Sequence, residues 1–229
     1  MVCTLTGVRA LLDLILPAEC GGCGAPGSGW CARCDATLAD VPVAVAPRVD
    51  PGVPVWALGP YAGPRRRVVI AAKEHGRRDL AGPIGLALGR AIESLRQWGE
   101  LHPRPAPLCL VPAPTRPRAA RGRGGDPVLR SARVAAGAVG GPCSVAPVLG
   151  MRRGVRDSVG LTAAQRQDNL RGRVRLSGTV AAAVAPAGPR PEIVVVDDVV
   201  TTGATAAESV RVLRSAGVRV AAVLVVAAA

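Results

Sequence analysis

Two adjacent carboxylates, Asp197 and Asp198, precede a short run of hydroxyls and small residues, Thr201-Thr202-Gly203-Ala204-Thr205. Upstream lies Ile193-Val194-Val195-Val196, a β-branched run that reads as a strand buried on both faces and ending at the two acids. Downstream, Ala206, Val210 and Leu213 recur at helical spacing, with Gly217 as a C-terminal stop. Strand, loop and helix N-terminus together bind phosphate well, because free backbone N–H groups and the positive helix end converge on one point. Gly203 lets an anion approach the backbone, and the hydroxyls of Thr201, Thr202 and Thr205 add donors. Asp197 and Asp198 repel phosphate; they suit a ligand with hydroxyls beside its phosphate, such as a ribose. The competing reading is an ordinary α/β turn with an N-capping threonine, which needs neither paired acids nor three threonines around a glycine. No G-x-x-x-x-G-K-[ST] occurs, so this is not a Walker loop.

A second group with chemistry lies near the N-terminus. Cys20-Gly-Gly-Cys23 and Cys31-Ala-Arg-Cys34 are separated by seven residues. Two C-x-x-C pairs fit tetrahedral zinc, each pair a tight knuckle that Gly21, Gly22 and Gly24 permit. Four thiolates leave no open position on the ion, so such a zinc is structural. A redox dithiol or two disulfides are the alternatives. Cys3, Cys109 and Cys143 stand apart and read as small buried hydrophobes.

The chain has 229 residues, enough for one domain plus a small appendage, here 1–50 for the cysteine module and 51–229 for the rest. It has no Phe and one Tyr, so its core must be aliphatic. The net charge of +13 is carried by arginine, Lys73 being the single lysine. That surface attracts phosphates and nucleic acid, or is simply a solvated arginine coat. No apolar run reaches the ~18–20 residues of a membrane span. Asp13 interrupts the apolar run Leu11 to Leu16, and there is no basic cluster ahead of it, which argues against a signal peptide and for the cytoplasm. In that compartment cysteines are metal ligands or thiols more often than disulfides.

The remaining elements must position these groups. A short helix is expected over Val8 to Leu16, and a linker or edge strand over 35–52. Strands are expected at Val53 to Leu58, Leu108 to Val111, Val145 to Leu149 and Val218 to Val226. Helices are expected at Arg65 to Lys73, at Leu80 to Trp98 with Leu80, Ile84, Leu88, Ile92 and Leu95 on one face, and from Asp126 to about Val139. Asp126-Pro127 supplies an N-cap and a proline at N1. Thr162 with Gln165 reads as a capping box, and 177–191 as a loop. Alternating strands and helices predict a mostly parallel α/β sheet, whose ligand sits at the carboxyl ends of the strands. Leu108 to Val111 ends in Pro112-Ala113-Pro114, a turn able to aim N–H groups at a second phosphate. After it, Arg116, Arg118, Arg121 and Arg123 sit among glycines with no apolar period, as in a mobile basic loop. His75 and His102 read as surface histidines. Lys73 is either a site residue or a plain helix-end lysine.

The stretch from Ile193 to Thr205 resembles the PRPP-binding signature of type I phosphoribosyltransferases: an apolar strand, two acids, two apolar residues, then T-T-G-x-T. The chain as a whole is similar to the ComF family, also described as competence protein F or amidophosphoribosyltransferase-like. The likeness includes the four cysteines, Tyr61-Ala-Gly-Pro-Arg65 leading to Lys73, Val111-Pro-Ala-Pro114, the arginine loop, and Gly160-Leu161-Thr162 with Arg166 and Asn169. It implies a phosphoribosyltransferase-like sheet. It implies that Asp197 and Asp198 contact ribose hydroxyls directly or through Mg²⁺, and that Thr201 to Thr205 wrap the 5-phosphate. It further implies that the turn at Pro112 to Pro114 holds pyrophosphate. Apart from the resemblance, Arg116, Arg118 and Arg121 are candidates to cover that pyrophosphate, because arginine suits bidentate phosphate contacts, or else they are solvated surface residues; Lys73 is a further candidate there. Some family members serve natural transformation beside DNA-uptake machinery, and others occur in bacteria with no such known behaviour, so single-stranded DNA and that machinery are partners the resemblance allows. The family usually carries Arg-Gly-Phe-Asn-Gln where this chain reads Arg123-Gly124-Gly125-Asp126-Pro127. That difference keeps open a PRPP- or nucleotide-responsive protein that handles DNA without turnover, although three Trp and one Tyr offer few stacking platforms.

Overall fold

The computed structural model describes residues 18–115, 125–152, 172–177 and 190–229. The expected helix at Val8 to Leu16, Cys3, the arginines 116, 118, 121 and 123, the capping box at Thr162, and Arg166 and Asn169 lie outside them.

The elements are α1 (Ala32–Leu38), β1 (Val43–Val45), β2 (Val55–Ala57), α2 (Gly63–Lys73), a 3₁₀ turn (Arg78–Leu80), α3 (Ala81–Gln97), β3 (Leu108–Pro112), α4 (Pro127–Ala138), β4 (Cys143–Val145), β5 (Leu149–Met151), β6 (Val174–Leu176), β7 (Glu192–Val200), α5 (Ala204–Ser215) and β8 (Val220–Ala228). Six strands form one sheet in the order β1-β2-β8-β7-β3-β4. Every pairing in it is parallel except that of β1 with β2. The expected α/β architecture is therefore present, with one antiparallel edge strand inside the stretch read as linker or edge strand.

Period-two alternation along the central strands sorts their side chains into two layers. Val194, Val196, Ala222 and Leu224 pack with α2, α3 and α4. Ile193, Val195, Val223 and Val225 pack with α5 and the β5–β6 pair. The largest fully buried side chains are all leucine and isoleucine, as a chain without phenylalanine requires. Helix α3 buries Ile84, Leu88, Ile92 and Leu95, the face its periodicity marks. Helix α4 begins as expected: Asp126 Oδ1 accepts from Val128 N–H at 2.9 Å and Leu129 N–H at 3.3 Å, with Pro127 in the first turn.

Two expectations change. The strand read at Val145 to Leu149 is two strands, β4 in the main sheet and β5 paired antiparallel with β6. Pro147 divides them, since proline has no N–H for a ladder. The strand read as ending at the acids runs four residues past Val196, and Asp197, Val199 and Val200 are in register with β8. Pairing with β3, by contrast, stops at Pro112 opposite Val196. The acids thus lie where β7 has outrun one neighbour and kept the other. Among the described residues no helix is long and apolar enough to cross a membrane.

Candidate functional site

Strand order reverses between β3 and β7. The connection from β3 to β4 passes through α4 on one face, and that from β7 to β8 through α5 on the other. The two chains separate at their carboxyl ends and leave a crevice, the usual place for a ligand in an open parallel sheet.

Asp197 and Asp198 stand in this crevice. Asp198 Oδ2 lies 2.8 Å from Lys73 Nζ, at the last residue of α2. Asp197 Oδ1 accepts the Asp198 N–H at 2.8 Å. Burial, and next the charge of Asp198, push the Asp197 carboxyl up to about 8, and Lys73 offsets only part of this. A cavity of about 20 Å³ is lined by Lys73, both acids and the first turns of α4, Ser131 among them. A second, of about 30 Å³, is lined by Asp197 and the turn from Thr201 to Thr205. Asp197 faces both; Asp198 faces the first.

The turn after β7 makes Gly203 the N-cap of α5 in a left-handed conformation, φ +86°. Only glycine adopts this readily. The Thr202 hydroxyl is buried and accepts from Ala204 N–H at 3.4 Å, Thr201 is exposed, and Thr205 is half-buried. The first N–H groups of α5 have no acceptor within the helix and carry its positive end. Beside the crevice, Ala113 N–H donates to the Val196 carbonyl at 2.8 Å, which seats the Pro112-Ala113 turn next to Asp197. The Tyr61 turn is tied to the end of β8 by Tyr61 N–H to the Ala228 carbonyl at 2.7 Å.

Folding therefore gathers Lys73, Pro112, Ala113, Asp197, Asp198 and the 201–205 turn at one end of the sheet. Arg116 and Arg118 lie outside the described residues. Ser131 and the start of α4 join the site without a sequence signal. His75 is exposed as expected. His102 is exposed but partnered: its Nδ1 lies 3.1 Å from Glu192 Oε1, and its N–H donates to Glu192 Oε2 at 2.8 Å. Cys109 is fully buried, whereas Cys143 is half-buried; burial raises both thiols, that of Cys143 to about 11.

The sulfurs of Cys20, Cys23, Cys31 and Cys34 all lie within 4.8 Å of one another, a cluster that could hold a metal ion such as zinc. Cys20 Sγ accepts from Gly22 N–H at 3.4 Å and Cys31 N–H at 3.3 Å, the bonds a thiolate ligand needs. Burial alone would raise the Cys20 thiol; backbone donors at Cys23, Cys31 and Gly22 outweigh it, and the net is a fall to about 6. Burial and the neighbouring thiols raise Cys34. Cys20 is lowered and Cys34 raised within one cluster, a conflict that a divalent cation relieves by favouring thiolate at both. A side chain at Gly22 would stand 2.6 Å from Cys34 Sγ, so the knuckle closes only on glycine. The module docks on α2 through Arg67 Nη1 to the Cys23 carbonyl at 3.0 Å.

A scan against protein-family models finds no match for this chain, and a search of the curated proteins finds none either.

Proposed function

We propose that this is a ComF-like protein of phosphoribosyltransferase fold that binds PRPP with Mg²⁺ and transfers its phosphoribosyl group with release of pyrophosphate. The observation that carries the reading is the pair Asp197 and Asp198 at the crevice, with a helix N-terminus on one side and Lys73 on the other. The N–H groups of α5 take the 5-phosphate, and the two carboxylates take the ribose hydroxyls. The Pro112-Ala113 turn and Lys73 face the pyrophosphate. At C1 the bond to pyrophosphate breaks and the bond to an incoming nucleophile forms through an oxocarbenium-like state. Orientation and stabilisation of the leaving group do most of the work. The adjacent carboxylates fit a hard cation: like charge and burial raise Asp197, and Mg²⁺ would reverse both effects. Asp197 and Asp198 would hold Mg²⁺, which would supply positive charge to offset that of the leaving pyrophosphate. The cysteine cluster holds a structural zinc, and the protein works in the cytoplasm.

Calorimetry with PRPP and Mg²⁺, paired with a pyrophosphate-release assay, tests this. The double substitution Asp197→Asn with Asp198→Asn should weaken binding by roughly a hundredfold or more, from two charge-assisted contacts at about 1.5–3 kcal/mol each. Unchanged affinity, or no binding by the native chain, removes the assignment.

The net charge of +13 favours a second reading: a PRPP-responsive protein without turnover that binds single-stranded DNA by its backbone for DNA-uptake machinery. Asp126 and Pro127, which stand where the family has amides, serve as helix cap and first-turn residue, in keeping with lost turnover. DNA affinity that falls steeply with salt, without PRPP consumption, would select it.

A further inference from the structure

The phosphate turn is held from behind by a segment distant in sequence. Between β1 and β2 the chain passes alongside α5. Val49 N–H donates to the Thr202 carbonyl at 2.8 Å. A Cβ on Gly203 would overlap the Val49 carbonyl oxygen and stand 2.7 Å from Pro47 Cβ. Further on, Gly52 N–H donates to Asp50 Oδ1 at 2.7 Å, and Arg214 Nη2 donates to the Gly52 carbonyl at 2.7 Å. This strap is thus pinned at both ends of α5.

The Val49 bond has a directional consequence. In a planar trans peptide the carbonyl and the following N–H point opposite ways. Anchoring the Thr202 carbonyl to Val49 therefore aims the Gly203 N–H to the far side of the turn. The cavity beneath the turn is lined by Thr201 to Thr205 and Asp197, and its lining includes neither Pro47 nor Val49. Within the turn itself the one side-chain bond, Ala204 N–H to Thr202 Oγ1, is long at 3.4 Å.

We infer that Pro47 and Val49 are positioning residues of the phosphate turn: they fix the Thr202–Gly203 peptide and the left-handed Gly203, and so pre-set the amides that receive the anion. The anion's identity rests on the PRPP reading; the mechanical role does not.

Three variants test it. Val49→Pro removes the donor, Pro47→Ala removes the ring against Gly203, and Val49→Ile keeps both as a control. The first readout needs no ligand: hydrogen exchange at Ala207 N–H, which donates to the Gly203 carbonyl at 2.9 Å. The second is calorimetric affinity for PRPP with Mg²⁺. Val49→Pro should speed the exchange and weaken affinity, each by about tenfold, the worth of one backbone hydrogen bond. Pro47→Ala should do so by a smaller factor, and Val49→Ile should match the native chain. If Val49→Pro does not fold, by circular dichroism, Pro47→Ala decides. Native exchange and affinity in the substituted chains overturn the inference. If the native chain binds no PRPP, the proposed function falls, and the exchange measurement alone decides the role of the strap.

Discussion

Lys73 Nζ lies 2.8 Å from Asp198 Oδ2 and so joins the last turn of α2 to the central strand across the crevice. The pair is part-exposed, the lysine side chain at 40% and the aspartate at 16%. Its contribution to folding is therefore small, about 1 kcal/mol or less. Its electrostatic reach is longer, because Lys73 also lowers the neighbouring Asp197 carboxyl.

Replacing Lys73 with glutamine should accordingly leave the fold intact and move the Asp197 titration further upward. Carboxyl carbon chemical shifts followed against pH measure this directly. An unmoved Asp197 would mean that the ion pair does not persist in solution. As the single lysine, Lys73 also offers a clean label. PRPP with Mg²⁺ should slow acylation of its amine if the ligand covers the crevice.

Asp197 makes stability depend on pH in a direction opposite to that of most carboxylates. Its pKa rises from an ordinary 3.8 to about 8 on folding, so the native state holds a proton that the unfolded state releases. Between those values the native chain binds more protons, and stability falls as pH rises. Urea midpoints for the ligand-free protein should decline from pH 5 to pH 8 by this contribution. Asp197→Asn should flatten that part of the slope, and an identical slope in the variant would refute the assignment. Lys73 and Asp198 face the same carboxyl, so the comparison is made with both intact.

The cysteine cluster should carry about one metal ion per chain by elemental analysis. Chelation should release it, lower the melting temperature and expose residues 18–40 to protease, because in so small a module metal binding supplies folding free energy, and the N–H bonds to Cys20 Sγ are stronger to a thiolate than to a thiol. Cys34→Ser should reproduce the loss, since the Cys34 thiol is buried inside the cluster. A metal-free native chain with the same protection would leave the cysteines as thiols.

Much of the scaffold was legible because local rules agreed with one another. The β-branched run at 193–196 is a fully buried strand, the face of α3 follows its apolar period, and Asp126 caps the helix it precedes. The C-x-x-C spacing places the two sulfurs of each pair close together locally, and packing of the first pair against the start of α1 brings all four within 4.8 Å. The split between β4 and β5 is likewise local, because Pro147 has no N–H for a ladder.

What depended on strand partners was not legible. No local pattern says that β7 keeps β8 beyond Val196 while losing β3, yet that difference opens the crevice beside Asp197. Nor does any pattern join Lys73 to Asp198, or Val49 to Thr202, since these contacts follow from where α2 and the strap come to rest on the sheet. Sequence alone determined the chemical groups and the elements that carry them, through propensity, capping and spacing that act over a few residues. Tertiary structure alone decided which groups meet and how they are charged, because burial and the proximity of distant charges arise only once the layers have packed.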